Sequence, residues 1–375
     1  MLTYINTFLT NNASEAYNRY PVALKQGALI RDKQGDPVDI LSGPSFPAAG
    51  LLDLSGPAGR NYATNMVEEM LAIGTSGWMA DFGEYVPMDS QPASGLGPLV
   101  EHNRYPYRWQ SVNQQAVAAS VLYDKPVWFA RSSGLTSPGV TPLFWLGDQL
   151  HSWDKLDGLA SVVVAMLSSG MSGHTLTHSD VGGYTTVLLP QFTIKYTRGL
   201  ELLQRWSELA IFTAFWRSHE GSAPTYNHQP YDKDALPHLV RCSALFASLA
   251  PYRRKLMAEA QLSGWPLVRA TWLHYPDDPA TLDLDAQFLE GGDLLVAPVL
   301  NPEKEYVDLY VPKDTWLHPF ENRTYHSVGQ TMTLPAPIGQ PAVLVRLDPS
   351  TGAPPPELAP FLAAVHAMGD FPGLV

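Results

Sequence analysis

From residue 1 to about residue 275, short apolar runs alternate with longer amphipathic stretches, and this alternation restricts the fold more than any other feature of the chain. It is the pattern of βα units, in which helices cross over between parallel strands. Strands are expected at 2–7, 77–82, 126–131, 172–177 and 266–272. Helices are expected over Tyr62–Leu71, Gln114–Leu122, Leu156–Ser169 and Thr197–Phe215, where apolar residues recur at spacings of three and four. Beyond about residue 280 the texture changes. The runs starting at Asp293, Tyr306, Thr331 and Ala342 are short and separated by turns with no helical stretch between them, which predicts a small antiparallel β domain. The segment after Thr351-Gly-Ala-Pro-Pro-Pro reads as a tail with one short helix. The expected division is an α/β catalytic domain at 1–278, a small antiparallel β-sandwich domain at 279–350 and a tail at 351–375.

Composition excludes several function classes. Lys and Arg number 24 against 36 Asp and Glu, a net charge of -12, and such a field repels phosphate backbones, so nucleic acid is not an expected partner. Cys242 is the single cysteine, which removes disulfide frameworks and cysteine-based metal clusters. No apolar run approaches the roughly 20 residues of a membrane span. His174 and His178 are spaced like helical metal ligands but fall on a strand-to-loop segment without a matching third ligand, so no metal is expected there.

In a barrel of parallel strands, catalytic side chains sit where strands end and βα loops converge. Here the apolar run Gly77-Trp78-Met79-Ala80 ends in Asp81-Phe82-Gly83-Glu84, and Phe144-Trp145-Leu146-Gly147 ends in Asp148. A third run ends in His178-Ser179-Asp180-Val181-Gly182-Gly183-Tyr184, and Arg217-Ser218-His219-Glu220 follows a helical stretch. Carboxylates beside tryptophans suit a sugar site, because carboxylates bind hydroxyl pairs and aromatic faces stack on apolar sugar faces. Cleavage of a glycosidic bond needs two carboxyl groups flanking the anomeric carbon, a task Asp81 and Asp148 could share. Taken alone, an Asp at a strand end is more often a helix cap or a turn residue.

In this order the four motifs resemble the α-glycosidases of glycoside hydrolase family 31, and within it the sulfoquinovosidase branch. The resemblance extends from Tyr4-Ile5-Asn6 to Ala336-Pro337-Ile338-Gly339. It implies a (β/α)8 TIM-type barrel lacking its first strands, followed by the β-sandwich domain, and hydrolysis of α-sulfoquinovosides with retention through a covalent glycosyl-enzyme; α-glucosides are the alternative substrates, and an inactive fragment the alternative reading. By the same resemblance Asp81 matches the nucleophile and Asp148 the general acid/base. Trp78, Arg131, Trp145, Asp180, Tyr184 and His219 match positions lining the sugar subsite, with Arg131 also offsetting the charge of Asp81. Glu84 is expected to support the Asp81 loop. Ordinary α-glucosidases of the family carry Trp-x-Asp-Met-Asn-Glu and Phe after the Gly-Gly, whereas this chain has Phe82-Gly83-Glu84 and Tyr184, departures that match the sulfoquinovosidases. The family also carries an N-terminal β-sandwich and earlier barrel strands, so the chain is expected to be part of a longer protein. An incomplete barrel would expose strand edges and favour a homo-oligomer. The expected partner is a small carbohydrate; no cofactor is implied, and the resemblance favours the cytoplasm.

Overall fold

A computed structural model describes residues 1–11, 18–41, 48–121, 125–189, 191 and 193–368 of the chain. Two compact units divide it, Met1–Phe144 and Trp145–Val375.

In the first unit the strands Leu2–Ile5, Gly77–Ala80 and Val127–Ala130 lie parallel in that order, and Leu143 and Phe144 continue the sheet beside Phe129 and Ala130. Helices Pro57–Ala72 and Pro98–Ala119 make the crossovers. Each starts with proline, whose fixed φ suits the first turn and whose missing N–H would have no helical acceptor there. The second helix begins well before the expected position 114 and carries Pro106 in its interior, the residue that hides its first half from a periodicity argument; Leu122, its expected end, lies outside the described residues. A three-stranded antiparallel sheet, Phe8–Thr10 with Ala49–Leu51 and Asp39–Ile40, was not expected.

Side chains along Gly77–Ala80 alternate between the two faces of the parallel sheet. Trp78 and Ala80 are fully buried. The Trp78 ring stacks on Trp128 of the neighbouring strand, with centroids 6.0 Å apart and planes 14° from parallel. Both indoles donate to one helix, Trp78 to Asn113 Oδ1 at 2.8 Å and Trp128 to Gln110 Oε1 at 3.0 Å. Met79 and Asp81 are therefore left to the opposite face.

The second unit contains helices Leu159–Met171, Leu200–Ala210, Leu236–Ser248 and Ala250–Ser263 and short strands, Thr177–His178 and the parallel pair Asp180–Val181 with Arg217–Ser218. Leu159, Leu203, Trp206, Phe212, Leu239 and Tyr252 form one apolar cluster with Phe288, Val343 and, from the short tail helix Ala359–Met368, Phe361. Cys242 is buried in the same cluster. The last two of these elements before the β domain, Leu236–Ser248 and Ala250–Ser263, were not foreseen as helices.

Two expected strands differ. The segment 172–177 opens in a turn, because Gly173 takes φ +92 and stops the preceding helix, and extended pairing starts only at Thr177. The segment 266–272 shortens to Val268–Arg269, which pairs antiparallel with Phe288–Glu290 as an edge of the C-terminal sheet, while Leu267 N–H donates to Thr175 C=O. That sheet runs in the order 268–269, 288–290, 294–296, 343–346, 314–318, 323–327. The antiparallel pair Tyr306–Val311 and Gln330–Pro335 shares a core with it, through Leu309, Val311 and Leu334 against Leu289, Leu295, Trp316 and Leu344.

Replacing Asn113 with Leu strands the Trp78 N–H in the core. Loss of one buried acceptor should lower unfolding free energy by about 1–3 kcal/mol in a denaturant titration, with the m-value unchanged.

Candidate active site

Asp81 is 6% exposed and sits where the parallel strand ends in an unusual turn. Phe82 has φ +60 and Gly83 φ +120. Left-handed backbone at a phenylalanine is strained by roughly 1–3 kcal/mol and persists only when neighbours enforce it. Here Phe82 packs against Phe8 at 4.7 Å and Tyr85 at 5.6 Å between ring centroids, the Arg131 guanidinium lies 4.2 Å from its ring centroid, and its carbonyl accepts from Ser132 Oγ at 2.7 Å. A Cβ on Gly83 would come 2.3 Å from that same Ser132 Oγ, so no other residue fits without moving Ser132. The turn brings the Phe82 N–H onto Asp81 Oδ1 at 2.8 Å, while Trp109 Nε1 donates to the Asp81 carbonyl at 3.1 Å.

Arg131 lies at the end of the next strand, with its Nε 3.5 Å from Asp81 Oδ1 and 2.9 Å from Glu84 Oε1, which its Nη2 also reaches. Glu84 thus orients the guanidinium beside Asp81. The Asp81 Oδ2 atom accepts from the Tyr4 hydroxyl at 2.6 Å. Trp78 is not brought to this carboxylate, which corrects the expectation that it lines a sugar subsite. It precedes Asp81 by three residues, whereas the family motif places Trp two residues before Asp, and an odd offset along a strand puts the side chain on the other face.

In the second unit Asp148 is exposed on a loop that turns at Gly147, φ +89. Main-chain bonds tie this loop to the segment carrying Tyr184: the N–H groups of Tyr184 and Thr185 both donate to Gln149 C=O, and Thr185 Oγ1 donates to Asp148 C=O at 2.7 Å. Gln149 is anchored in turn on Ser161 Oγ at 2.7 Å. His151 Nδ1 meets Gly182 C=O at 2.6 Å. Burial pushes the His151 pKa down to about 4, so at neutral pH its ring is uncharged and Nδ1–H is the donor in this contact.

Asp180 is fully buried and forms an ion pair with Arg217, and the Arg217 guanidinium lies 5.6 Å from the Trp145 ring centroid. Tyr184 meets His219 edge to face at 4.7 Å, and the Gly221 N–H donates to His219 Nδ1 at 3.0 Å. In the neutral ring the proton must then sit on Nε2, making that nitrogen a donor. The structure thus gathers Asp81, Glu84 and Arg131 in one unit, and Trp145, Asp148, Asp180, Tyr184 and His219 in the other.

Sequence reasoning assigned no role to Arg198, which is 1% exposed and organises the second group. It donates to the carbonyls of His228 and His219 at 2.8 and 2.6 Å and to Gln229 Oε1 at 3.1 Å. A Cβ on Gly182 would fall 2.3 Å from its Cδ, so the Gly-Gly turn before Tyr184 is shaped around this side chain. Burial lowers its pKa to about 10, against nearby carboxylates that raise it, which leaves the cation intact at neutral pH. Neither Arg198 nor Arg217 has a spacing signature of its own, although Arg217 opens the quoted Arg-Ser-His-Glu motif. Among the described residues, His228, Asp232 and Asp234 bring ligating atoms within 4.8 Å of one another, and His174 and His178 form no such group.

Residues 1–257 match the glycosyl hydrolases family 31 TIM-barrel domain and residues 264–348 the glycosyl hydrolase family 31 C-terminal domain. The chain is 36% identical over 350 residues to a sulfoquinovosidase of Escherichia coli (strain K12), covering 92% of this chain and 49% of that protein. A sulfoquinovosidase of Agrobacterium fabrum is 35% identical over 353 residues, 93% of this chain and 51% of its own length. The solved structure of a family 31 sulfoquinovosidase from E. rectale, in complex with an aza-sugar inhibitor, superposes with a TM-score of 0.89 at 35% identity, covering 98% of this chain and 52% of that one. The chain belongs to glycosyl hydrolase family 31 and spans about half the length of these relatives. Its fold is a family 31 TIM-barrel domain followed by a C-terminal domain with an antiparallel sheet.

Arg198→Met should abolish activity that depends on Tyr184 and His219 and cost about 3–5 kcal/mol of stability, because removing a buried, fully bonded cation leaves its acceptors unpaired; differential unfolding checks the second figure. The depressed His151 pKa has a definite sign. Between pH 6.5 and about 4 the unfolded chain binds the proton more readily than the folded one, so stability falls as pH falls through that window. In His151→Asn, which keeps a donor toward Gly182, the loss between pH 7 and 5 should shrink by about 2 kcal/mol in parallel thermal melts.

Proposed function

We propose that this chain supplies the catalytic centre of a retaining α-glycosidase that hydrolyses α-sulfoquinovosides, within a (β/α)8 barrel followed by a β-sandwich. Asp81 is the nucleophile. Its carboxylate attacks the anomeric carbon as the bond to the leaving oxygen breaks, and Asp148 gives that oxygen its proton. In the second step Asp148 takes a proton from water, which attacks the same carbon, releases Asp81 and restores the original anomeric configuration. Arg131, held by Glu84, balances negative charge at Asp81.

The observation that carries the substrate assignment is Tyr184, set by the Gly182-Gly183 turn edge-on to His219, whose Nε2–H is a donor. A phenol hydroxyl and an imidazole N–H offer two donors to the oxygens of a sulfonate, and a Phe in place of Tyr184 would remove the first. The relatives named sulfoquinovosidase support the same class of substrate.

Hydrolysis of p-nitrophenyl α-sulfoquinovoside and p-nitrophenyl α-glucoside tests this. The sulfonated substrate is expected to react with a kcat/KM higher by about 100-fold or more, and Tyr184→Phe should narrow that ratio by about tenfold. Asp81→Asn and Asp148→Asn should each remove turnover of the first substrate. Equal rates on both substrates would replace the substrate assignment with an α-glucosidase, and turnover surviving both substitutions would refute the catalytic assignment.

A further inference from the structure

We infer that Tyr4 is a positioning residue for the Asp81 carboxylate, aimed by Asn6, through the relay Phe8 N–H to Asn6, Asn6 to Tyr4, and Tyr4 to Asp81. The inference rests on reading Asp81 as the nucleophile.

The contact follows from strand register. Leu2–Ile5 runs parallel to Gly77–Ala80 with Tyr4 opposite Met79, and the Asp81 N–H continues the ladder onto Ile5 C=O at 2.9 Å. Asp81 is two residues beyond Met79 and shares its face, so it lies diagonally from Tyr4, within reach of a long aromatic side chain. The Tyr4 hydroxyl spans that diagonal and donates to Asp81 Oδ2 at 2.6 Å.

The direction of the proton is set two residues away. Asn6 Oδ1 accepts the Phe8 N–H at 2.8 Å, which turns its amide nitrogen toward Tyr4, and Nδ2 donates to the phenol oxygen at 3.0 Å. Having accepted there, the phenol points its own hydrogen at Asp81. Although the ring is half exposed, desolvation of the hydroxyl end beside the Asp81 carboxylate pushes the Tyr4 pKa upward, so the hydroxyl keeps its proton and remains a donor. The two oxygens of Asp81 are thereby distinguished: Oδ1 is held by the Phe82 N–H and faces Arg131, and Oδ2 is held by the phenol. Donors on both oxygens fix the plane of the carboxylate, and with it the line along which an oxygen meets the anomeric carbon.

Tyr4→Phe keeps the ring and removes the donor. It should lower kcat for p-nitrophenyl α-sulfoquinovoside by about 10- to 100-fold with KM changed less than about threefold, the mark of lost aim rather than lost binding. Asn6→Asp keeps the acceptor for Phe8 N–H but replaces the amide donor with a second acceptor for the phenol, drawing its hydrogen from Asp81, and should match Tyr4→Phe. Asn6→Ala should fall between these variants and the unsubstituted chain. The bond itself is read without catalysis by a double-mutant cycle: Tyr4→Phe should lower the denaturant midpoint in the unsubstituted chain and leave it unchanged on an Asp81→Ala background. Equal destabilisation in both backgrounds overturns the inference. So does a Tyr4→Phe kcat equal to that of the unsubstituted chain when Asp81→Asn is inactive. If Asp81→Asn retains turnover, the catalytic reading of Asp81 is what fails.

Discussion

The strict two-residue alternation of the strand Gly77–Ala80 governs everything built at its end. Because Trp78 and Ala80 must face the helix, the indole of Trp78 can stack on Trp128 and share one helix with it as hydrogen-bond partner. The same parity delivers Asp81 to the opposite face, and the left-handed pair Phe82 and Gly83 then bends the chain so that the next N–H returns to the carboxylate it has just passed. A buried aromatic layer on one side and a fully bonded carboxylate on the other are two results of a single geometric rule. The strain at Phe82 is held by the rings of Phe8 and Tyr85 and by Arg131, which links the unfavourable backbone directly to the cation beside Asp81.

The second unit solves a different problem, because Asp148, Tyr184 and His219 stand on loops, whereas Asp180 lies in a short strand beside Arg217. Loop backbone is held by a buried cation instead of by a ladder. Arg198 donates to the carbonyls of His219 and His228 and to Gln229 Oε1, and the Gly182 turn has room only for that guanidinium stem. The cation remains charged despite burial because carboxylates surround it, and its rigid fork can serve several carbonyls at once in a way an ammonium cannot.

Much of this was legible beforehand, for physical reasons that separate the successes from the failures. The strands 77–82 and 126–131 were visible because uninterrupted apolar runs end in turn residues, and the site motifs were visible because chemistry needs particular residue types at strand ends. Tyr4 and Asn6 were named only as part of a strand, since their role depends on register against a strand more than 70 residues away. Arg198 looked like one more residue at a helix start, and nothing local marks it as the hub of three loops. Trp78 was misplaced although the offset that settles it, three residues rather than two before Asp81, is written in the sequence. The segment 266–272 has a strand's composition, but composition does not say whether its partner will be parallel or antiparallel.

The assignment of Asp81 as the nucleophile is tested most directly by trapping. The chain would be incubated with an activated 5-fluoro α-glycosyl fluoride carrying a sulfonate at C6, digested, and mapped by tandem mass spectrometry. The expected result is a single glycosylated peptide with the sugar on Asp81, absent when Asp81 is replaced by Asn. A sugar on any other carboxylate, or hydrolysis with inverted configuration and no labelled peptide, would contradict it.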